Sequence, residues 1–184
     1  MKELAIRETE IPGLLEIDLP LFGDPRGWLK ENWQREKMIA LGLPDFQPVQ
    51  NNISFNKDAG VIRGIHAEPW DKFISLGLGK VFAAIVELRP GNNFGKVITF
   101  ELTPEKAIFV PRGMGNSYQT LVPNTVFTYL VNAHWQPGVR YHSVNVADEE
   151  LAIDWPIPIG SAEISDKDRA NPSLSDLRKN LGIN

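Results

Sequence analysis

The sequence predicts an all-β fold, and three observations carry that expectation. Proline and glycine punctuate the whole chain, at Gly13, Pro20, Gly42, Gly60, Gly79, Pro90, Pro111, Pro123 and Pro137 among others. The runs between them have strand length and are rich in Val, Ile, Phe, Thr and Leu. No regular alternation with helical patterns interrupts them, which argues for a sandwich, jelly roll or barrel over a doubly wound parallel sheet.

Taken in order, strands are expected at 14–18, 50–56, 61–67, 73–78, 81–88, 95–102, 106–110, 116–120, 125–132 and 142–146. The run from Gly79 reads as two strands joined by a turn at Pro90 to Asn93. In its first strand, Phe82, Ala84 and Val86 point one way and Val81, Ala83 and Ile85 the other, so both faces are apolar and both are expected to be buried. Helix is confined to the margins. Residues 32–41 carry Trp33, Met38 and Leu41 at near-helical spacing and stop at Gly42, while 173–181 opens on serine and places Leu174, Leu177 and Leu181 on one face.

At 184 residues and 42% hydrophobic content, the chain supports one substantial core, read as a single domain over 1–184 with a C-terminal extension from 160. The formal charge of -4, with lysines and arginines scattered, gives no basic stripe for nucleic acid. There is no cysteine, which removes disulfides and thiolate chemistry. The opening MKELAIRETEIPG lacks the apolar segment of a secretory signal, and no later stretch reaches the length of a membrane span. A soluble cytoplasmic protein without membrane or nucleic-acid partners is the expectation.

The chemistry-bearing segment is VIRGIHAEPWDK, which sets His66, one of three histidines, on a strand between Arg63 and Lys72. An imidazole with an ordinary pKa near ~6.5 moves protons at neutral pH, and flanking cations hold an anionic substrate beside it. A lone strand histidine serves packing as readily as catalysis. Tyr129, in FTYLVNAHW, is a packing residue if it stands alone and an acid partner if it meets His66 across a pocket. The loop FVPRGMGNSYQTL presents Asn116 at the lip of a turn, where a binding loop and a plain tight turn fit equally. A metal site would need His66 and Glu68 to meet His134 and His142 from far along the chain, so metal-free acid/base work without a cofactor is the favoured reading.

Eight segments then fall into one ordered pattern: FGDPRGWLKENW, VQNNISF, VIRGIHAEPWDK, VELRPG, FVPRGMGNSYQTL, FTYLVNAHW, LAIDWP and ISDKD. In order and spacing, from Phe22 to Asp168, they resemble the dTDP-4-dehydrorhamnose 3,5-epimerases. The resemblance implies a metal-free, cupin-type jelly-roll barrel with short peripheral helices. It also implies a homodimer whose active site lies inside each barrel near the partner's N-terminal strands. The reaction implied is epimerisation at C3 and C5 of a dTDP-4-keto-6-deoxy hexose, a step of dTDP-rhamnose biosynthesis for cell-surface polysaccharide.

By motif position, the resemblance makes His66 the base, Asp168 its orienting carboxylate, Lys72 the enolate stabiliser and Tyr129 the acid on the opposite face. It places Arg26 and Glu31 on the nucleotide, Gln50 and Asn52 near sugar and phosphates, and Arg63 near pyrophosphate or ketone. His134 or Trp135 would stack on thymine, and Asn116 would line the substrate site. This chain departs from the family's usual residues at three of these segments. Asn116 stands for histidine, followed by Ser117 and Tyr118 for glycine and phenylalanine, His134 for tyrosine, and Glu68 for glutamine. The departures leave open a C3-only epimerase or another nucleotide's keto sugar. Two readings from other classes are a non-catalytic nucleotide-sugar binding module and a metal-dependent cupin isomerase or oxygenase.

Overall fold

The computed structural model describes residues 3–183; the ends of the expected 1–184 span, residues 1, 2 and 184, lie outside the described residues. In chain order the strands are β1 Ala5–Glu8, β2 Leu15–Asp18, β3 Leu21–Asp24, β4 Gly27–Lys30, β5 Gln50–Asn56, β6 Val61–Ala67 and β7 Lys72–Leu78. They continue as β8 Val81–Val86, β9 Val97–Leu102, β10 Lys106–Val110, β11 Gly115–Thr120, β12 Thr125–Val131, β13 His142–Ser143 and β14 Glu163–Ile164. The α-helices are α1 Arg35–Ala40, α2 Asp166–Arg169 and α3 Leu174–Asn180.

One six-stranded sheet runs β1-β2-β10-β7-β12-β5, and the second runs β13-β6-β11-β8-β9 with β14 alongside β6. From β5 to β8 the chain crosses between sheets at every strand, and it does so again from β9 to β12. This is jelly-roll topology. The sheets face each other as a sandwich and do not close into the expected continuous barrel.

Three apolar layers hold the sandwich. Between the sheets, Ile74, Leu76, Ile108 and Phe127 of the first meet Val81, Ala83, Ile85 and Tyr118 of the second. Outside the first sheet, Met38 of α1 packs with Leu43, Phe46, Phe73 and Phe109. Outside the second, Ala84 and Val86 pack with Val144, Leu151, Trp155, Leu174 and Leu177 from the C-terminal segment. β8 is therefore buried on both faces with the parity expected from its sequence, since Val81, Ala83 and Ile85 face inward while Phe82, Ala84 and Val86 face the C-terminal layer.

That third layer matters for function because the chain on either side of α2 is buried in it, through Ile164 before the helix and Leu174 after it. Burying a Leu or Val side chain contributes roughly 1.5–3 kcal/mol. Leu151, Leu174 and Leu177 are all buried, and the Trp155 indole N–H donates to the Val146 carbonyl at 2.9 Å. The segment from 142 onward is thereby a structural layer, with strand limited to His142–Ser143 where 142–146 was expected. Ser173 caps α3 as its position promised, accepting from the Asp176 N–H at 3.1 Å. The first helix is shorter than expected, starting at Arg35, because Trp33 instead packs edge-on to Phe46 and Phe73. A further hairpin, β3 with β4, lies where no strand is expected; its Gly27 adopts φ +135° at the turn.

Candidate active site

One end of the space between the sheets is a cavity of about 340 Å³ rather than packed core. Ser54, Lys72, Ile74, Phe127 and Tyr129 line it from the first sheet, and Arg63, His66, Asn116 and Tyr118 from the second. Glu68, just past β6, and Asp168 of α2 complete the wall.

A bulge builds the second sheet's share. On β11, Asn116 and Tyr118 are two residues apart and share a face, yet they pair with His66 and Arg63, which are three apart on β6. The extra residue re-aims the strand so that His66 and Arg63 both reach the cavity despite opposite parity. Gly64 sits inside this bulge at φ +125°, where a Cβ would lie 2.6 Å from both the Asn116 carbonyl oxygen and the Ser117 Cβ. Only glycine fits there. Arg63 is then held by Asn56, whose Oδ1 accepts from its Nε at 3.1 Å and from the Tyr118 hydroxyl at 3.2 Å.

His66 meets Asp168 at 2.7 Å, Nε2 to Oδ1. The carboxylate is set by local structure: Ser165 caps α2 by accepting from the Asp168 N–H, and the Gly64 N–H donates to Asp168 Oδ2 at 3.4 Å. Burial pushes the Asp168 carboxyl up, but the His66 hydrogen bond and charge, with Gly64 and Ser165, outweigh it and hold the group below its ordinary value. An ionised carboxylate only accepts, so Nε2 carries the hydrogen and Nδ1 is left as the basic nitrogen. The ring of Tyr141 stands edge-on to His66, centroids 5.8 Å apart.

Lys72 opens β7 and is buried, its Nζ donating to Glu68 Oε2 and to Asn116 Oδ1. Burial pulls its ammonium below the ordinary lysine value against the opposing effect of Glu68. Nζ lies 5.8 Å from the centroid of the Tyr129 ring. Tyr129 comes from the sheet opposite His66, and burial, followed by the charge of Glu68, raises its phenol above the ordinary value. The hydroxyl therefore carries its proton at neutral pH and has one to give, though as a weaker acid than a free phenol.

The expected nucleotide contacts stand elsewhere. Arg26 is at the exposed tip of the β3–β4 hairpin, bonded to Asp24, and Glu31 follows β4 with Lys37 at 3.8 Å. Neither lines the cavity. Gln50, Asn52, His134 and Trp135 form a second group at the start of β5, beside the chain leaving β12: Gln50 Nε2 donates to Asn52 Oδ1 at 2.8 Å, and Gln50 Oε1 accepts from the Trp135 N–H at 3.3 Å and faces His134 Nδ1 at 3.4 Å. His142, on β13, pairs with Ala67 of β6. Among the described residues no three His, Asp or Glu side chains converge in metal-holding geometry, and no helix is long and apolar enough to cross a membrane.

Sequence reasoning missed Ser54, Ile74, Tyr118 and Phe127 as lining residues. Each lies two positions from a residue already singled out: Asn52, Lys72, Asn116 and Tyr129 respectively. Strand periodicity applied to those four positions would have found them.

Comparison with known proteins gives concordant matches. The family model described as dTDP-4-dehydrorhamnose 3,5-epimerase matches residues 8–176. The protein called RmlC homolog of Streptococcus pyogenes serotype M6 is 47% identical over 185 residues, covering 96% of this chain and 93% of its own. The dTDP-4-dehydrorhamnose 3,5-epimerase of Mycobacterium tuberculosis is 32% identical over 184 residues, covering 94% and 88%. Among solved structures, RmlC from Streptococcus suis in complex with dTDP-D-xylose superposes with a TM-score of 0.91 at 45% identity, covering 96% of this chain and 94% of its own.

Proposed function

The chain belongs to the dTDP-4-dehydrorhamnose 3,5-epimerase family, an isomerase family, and on that premise we propose that it inverts C3 and C5 of a dTDP-linked 4-keto-6-deoxy hexose in the cavity between its sheets. The observation that carries the reading is the placement of His66 on one sheet, backed by Asp168 of α2, and of Tyr129 and Lys72 on the other sheet, around one cavity.

A hydrogen on carbon beside a ketone is weakly acidic, and its removal sends the electron pair onto the C4 oxygen. His66 Nδ1 takes that proton, and Asp168 stabilises the imidazolium that forms. The Lys72 ammonium meets the enolate oxygen. The enolate then takes a proton from the Tyr129 hydroxyl on the opposite face, which leaves the carbon inverted and the C4 ketone restored. Solvent exchange returns a proton to Tyr129 and removes one from His66 before a second centre reacts.

The dTDP group belongs outside the cavity, with Arg63 at the mouth and the Gln50, Asn52, His134 and Trp135 edge beyond it. Trp135 is 59% exposed and offers a flat face for thymine. Arg26 and Glu31 serve the nucleotide bound by a second copy. Their hairpin pairs with no other strand among the described residues and exposes Phe22, Trp28 and Leu29, as an arm that packs on a homodimer partner would. Substrate and enzyme meet in the cytoplasm.

The test is incubation of the purified protein with dTDP-4-keto-6-deoxyglucose in D2O, followed by NMR. Deuterium is expected at C3 and C5. Incorporation at C3 alone would make the protein a C3-epimerase, and intact substrate with no exchange would overturn the reading.

A further inference from the structure

We infer that Glu68 is a positioning residue that, with Asn116, holds Lys72 as an aimed ammonium: each takes one of its three N–H groups and leaves the third for the oxygen of the substrate. The inference rests on the reading of Lys72 as the group that meets the enolate.

An ammonium has three donors and no acceptor. Glu68 Oε2 and Asn116 Oδ1 account for two of the Lys72 donors. Both acceptors are fixed from behind. Asn116 is locked in β11 between β6 and β8. The backbone carbonyl of Glu68 accepts from the Gly113 N–H at 3.1 Å, and Asp71 ties the same loop to Arg112 and Asn132, each at 2.8 Å. The lysine cannot swing, because its stem is buried in β7.

The Glu68 carboxylate places a negative charge directly on the Lys72 ammonium, and that charge has a physical task. Burial alone favours the neutral amine, which could not stabilise an enolate by charge. Other groups facing the same space are Arg63 and His66 from β6, Tyr118 from β11, Tyr129 from β12 and Asp168 from α2. Asp168 is engaged by His66, which leaves Glu68 as the anion in direct contact with the ammonium.

The experiment compares wild type with Glu68→Gln, which keeps shape and removes charge. The Lys72 Cε resonance in carbon-13 lysine-labelled protein, assigned by its loss in Lys72→Arg, is titrated with pH; in parallel, kcat and KM for deuterium exchange are measured across pH. Losing the carboxylate should lower the titration midpoint of Lys72 by about 1–3 pH units. The alkaline limb of kcat should fall by the same amount, with KM changed less than about threefold and kcat at neutral pH reduced by about tenfold. An unmoved Lys72 midpoint overturns the inference, as does a kcat lowered equally at every pH. Should Glu68→Gln fail to fold, Asn116→Asp adds a carboxylate on the other side and should move the Lys72 midpoint upward; no movement overturns the inference equally. The titration does not depend on turnover, so wild-type protein that shows no exchange defeats the epimerase reading while the Lys72 midpoint still decides the role of Glu68.

Discussion

The cavity between the sheets and the surface that should bind the nucleotide are built on opposite principles. In the cavity, His66, Lys72, Tyr129 and Asp168 come from four elements and converge, each fixed by strand register or a helix cap. At the surface, Arg26 and Glu31 ride an exposed hairpin, while Gln50, Asn52, His134 and Trp135 gather at a sheet edge. The groups proposed to move protons, a task sensitive to fractions of an ångström, sit on paired strands and a capped helix, whereas those proposed to grip a large charged handle sit on an exposed hairpin and at a strand end.

The most damaging way to probe the difference is His66→Asn. Exchange should fall by about 10²–10⁴-fold while calorimetric dTDP affinity stays within about threefold; affinity falling in step with exchange would erase the distinction between the regions. Tyr129→Phe should separate two halves of the same chemistry. Deuterium exchange at C3 continues as the base works, but inverted product falls by at least about tenfold relative to exchange, and equal loss of both would remove Tyr129 from the role of acid.

Asp168→Asn tests the cavity by stability as well as rate. The Asp168 carboxyl lies below its unfolded value, so the unfolded chain binds more protons there and stability rises with pH across that interval. The contribution is complete above the ordinary carboxylate pKa of about 3.9 and disappears as pH falls through the folded value. Urea midpoints measured from pH 6 downward should therefore drop less steeply with acid in Asp168→Asn than in wild type; parallel slopes would mean that the His66 pairing does not stabilise the fold.

On the surface side, Trp135→Ala should weaken dTDP binding by about 1–3 kcal/mol, the value of one stacked base, with kcat little changed. Arg26→Ala should raise KM by a smaller factor, since Arg26 is exposed and screened. Mixing Arg26→Ala with His66→Asn and allowing subunits to exchange should bring KM back toward the wild-type value, because in the proposed mixed dimer the surviving His66 site is served by an intact Arg26. A KM unchanged by mixing would show that Arg26 acts within its own chain or not at all.

Much of this was legible in the order of residues. The strands from β5 to β12 were readable because turn residues interrupt β-branched runs, and the two-sided burial of β8 followed from its unbroken apolar stretch. VIRGIHAEPWDK and ISDKD pointed to His66, Lys72 and Asp168. The β3–β4 hairpin was not readable, because Phe22, Trp28 and Leu29 are neither buried nor strictly alternating within four-residue strands. Nor was the short reach of α1, set by the aromatic contacts of Trp33.

By itself, then, the chain's sequence determined which segments become strands and which side chains are able to move a proton, since both depend on period-2 patterning and on the chemistry of single residues. Tertiary structure alone decided that Asp168, 102 positions away, would reach His66, and that Lys72 would lie between Glu68 and Asn116. The reason is geometric. The bulge at Gly64 shifts β6 by one residue against β11, and the C-terminal layer docks α2 beside it. No local pattern encodes a distance between two elements that meet only once both sheets are packed.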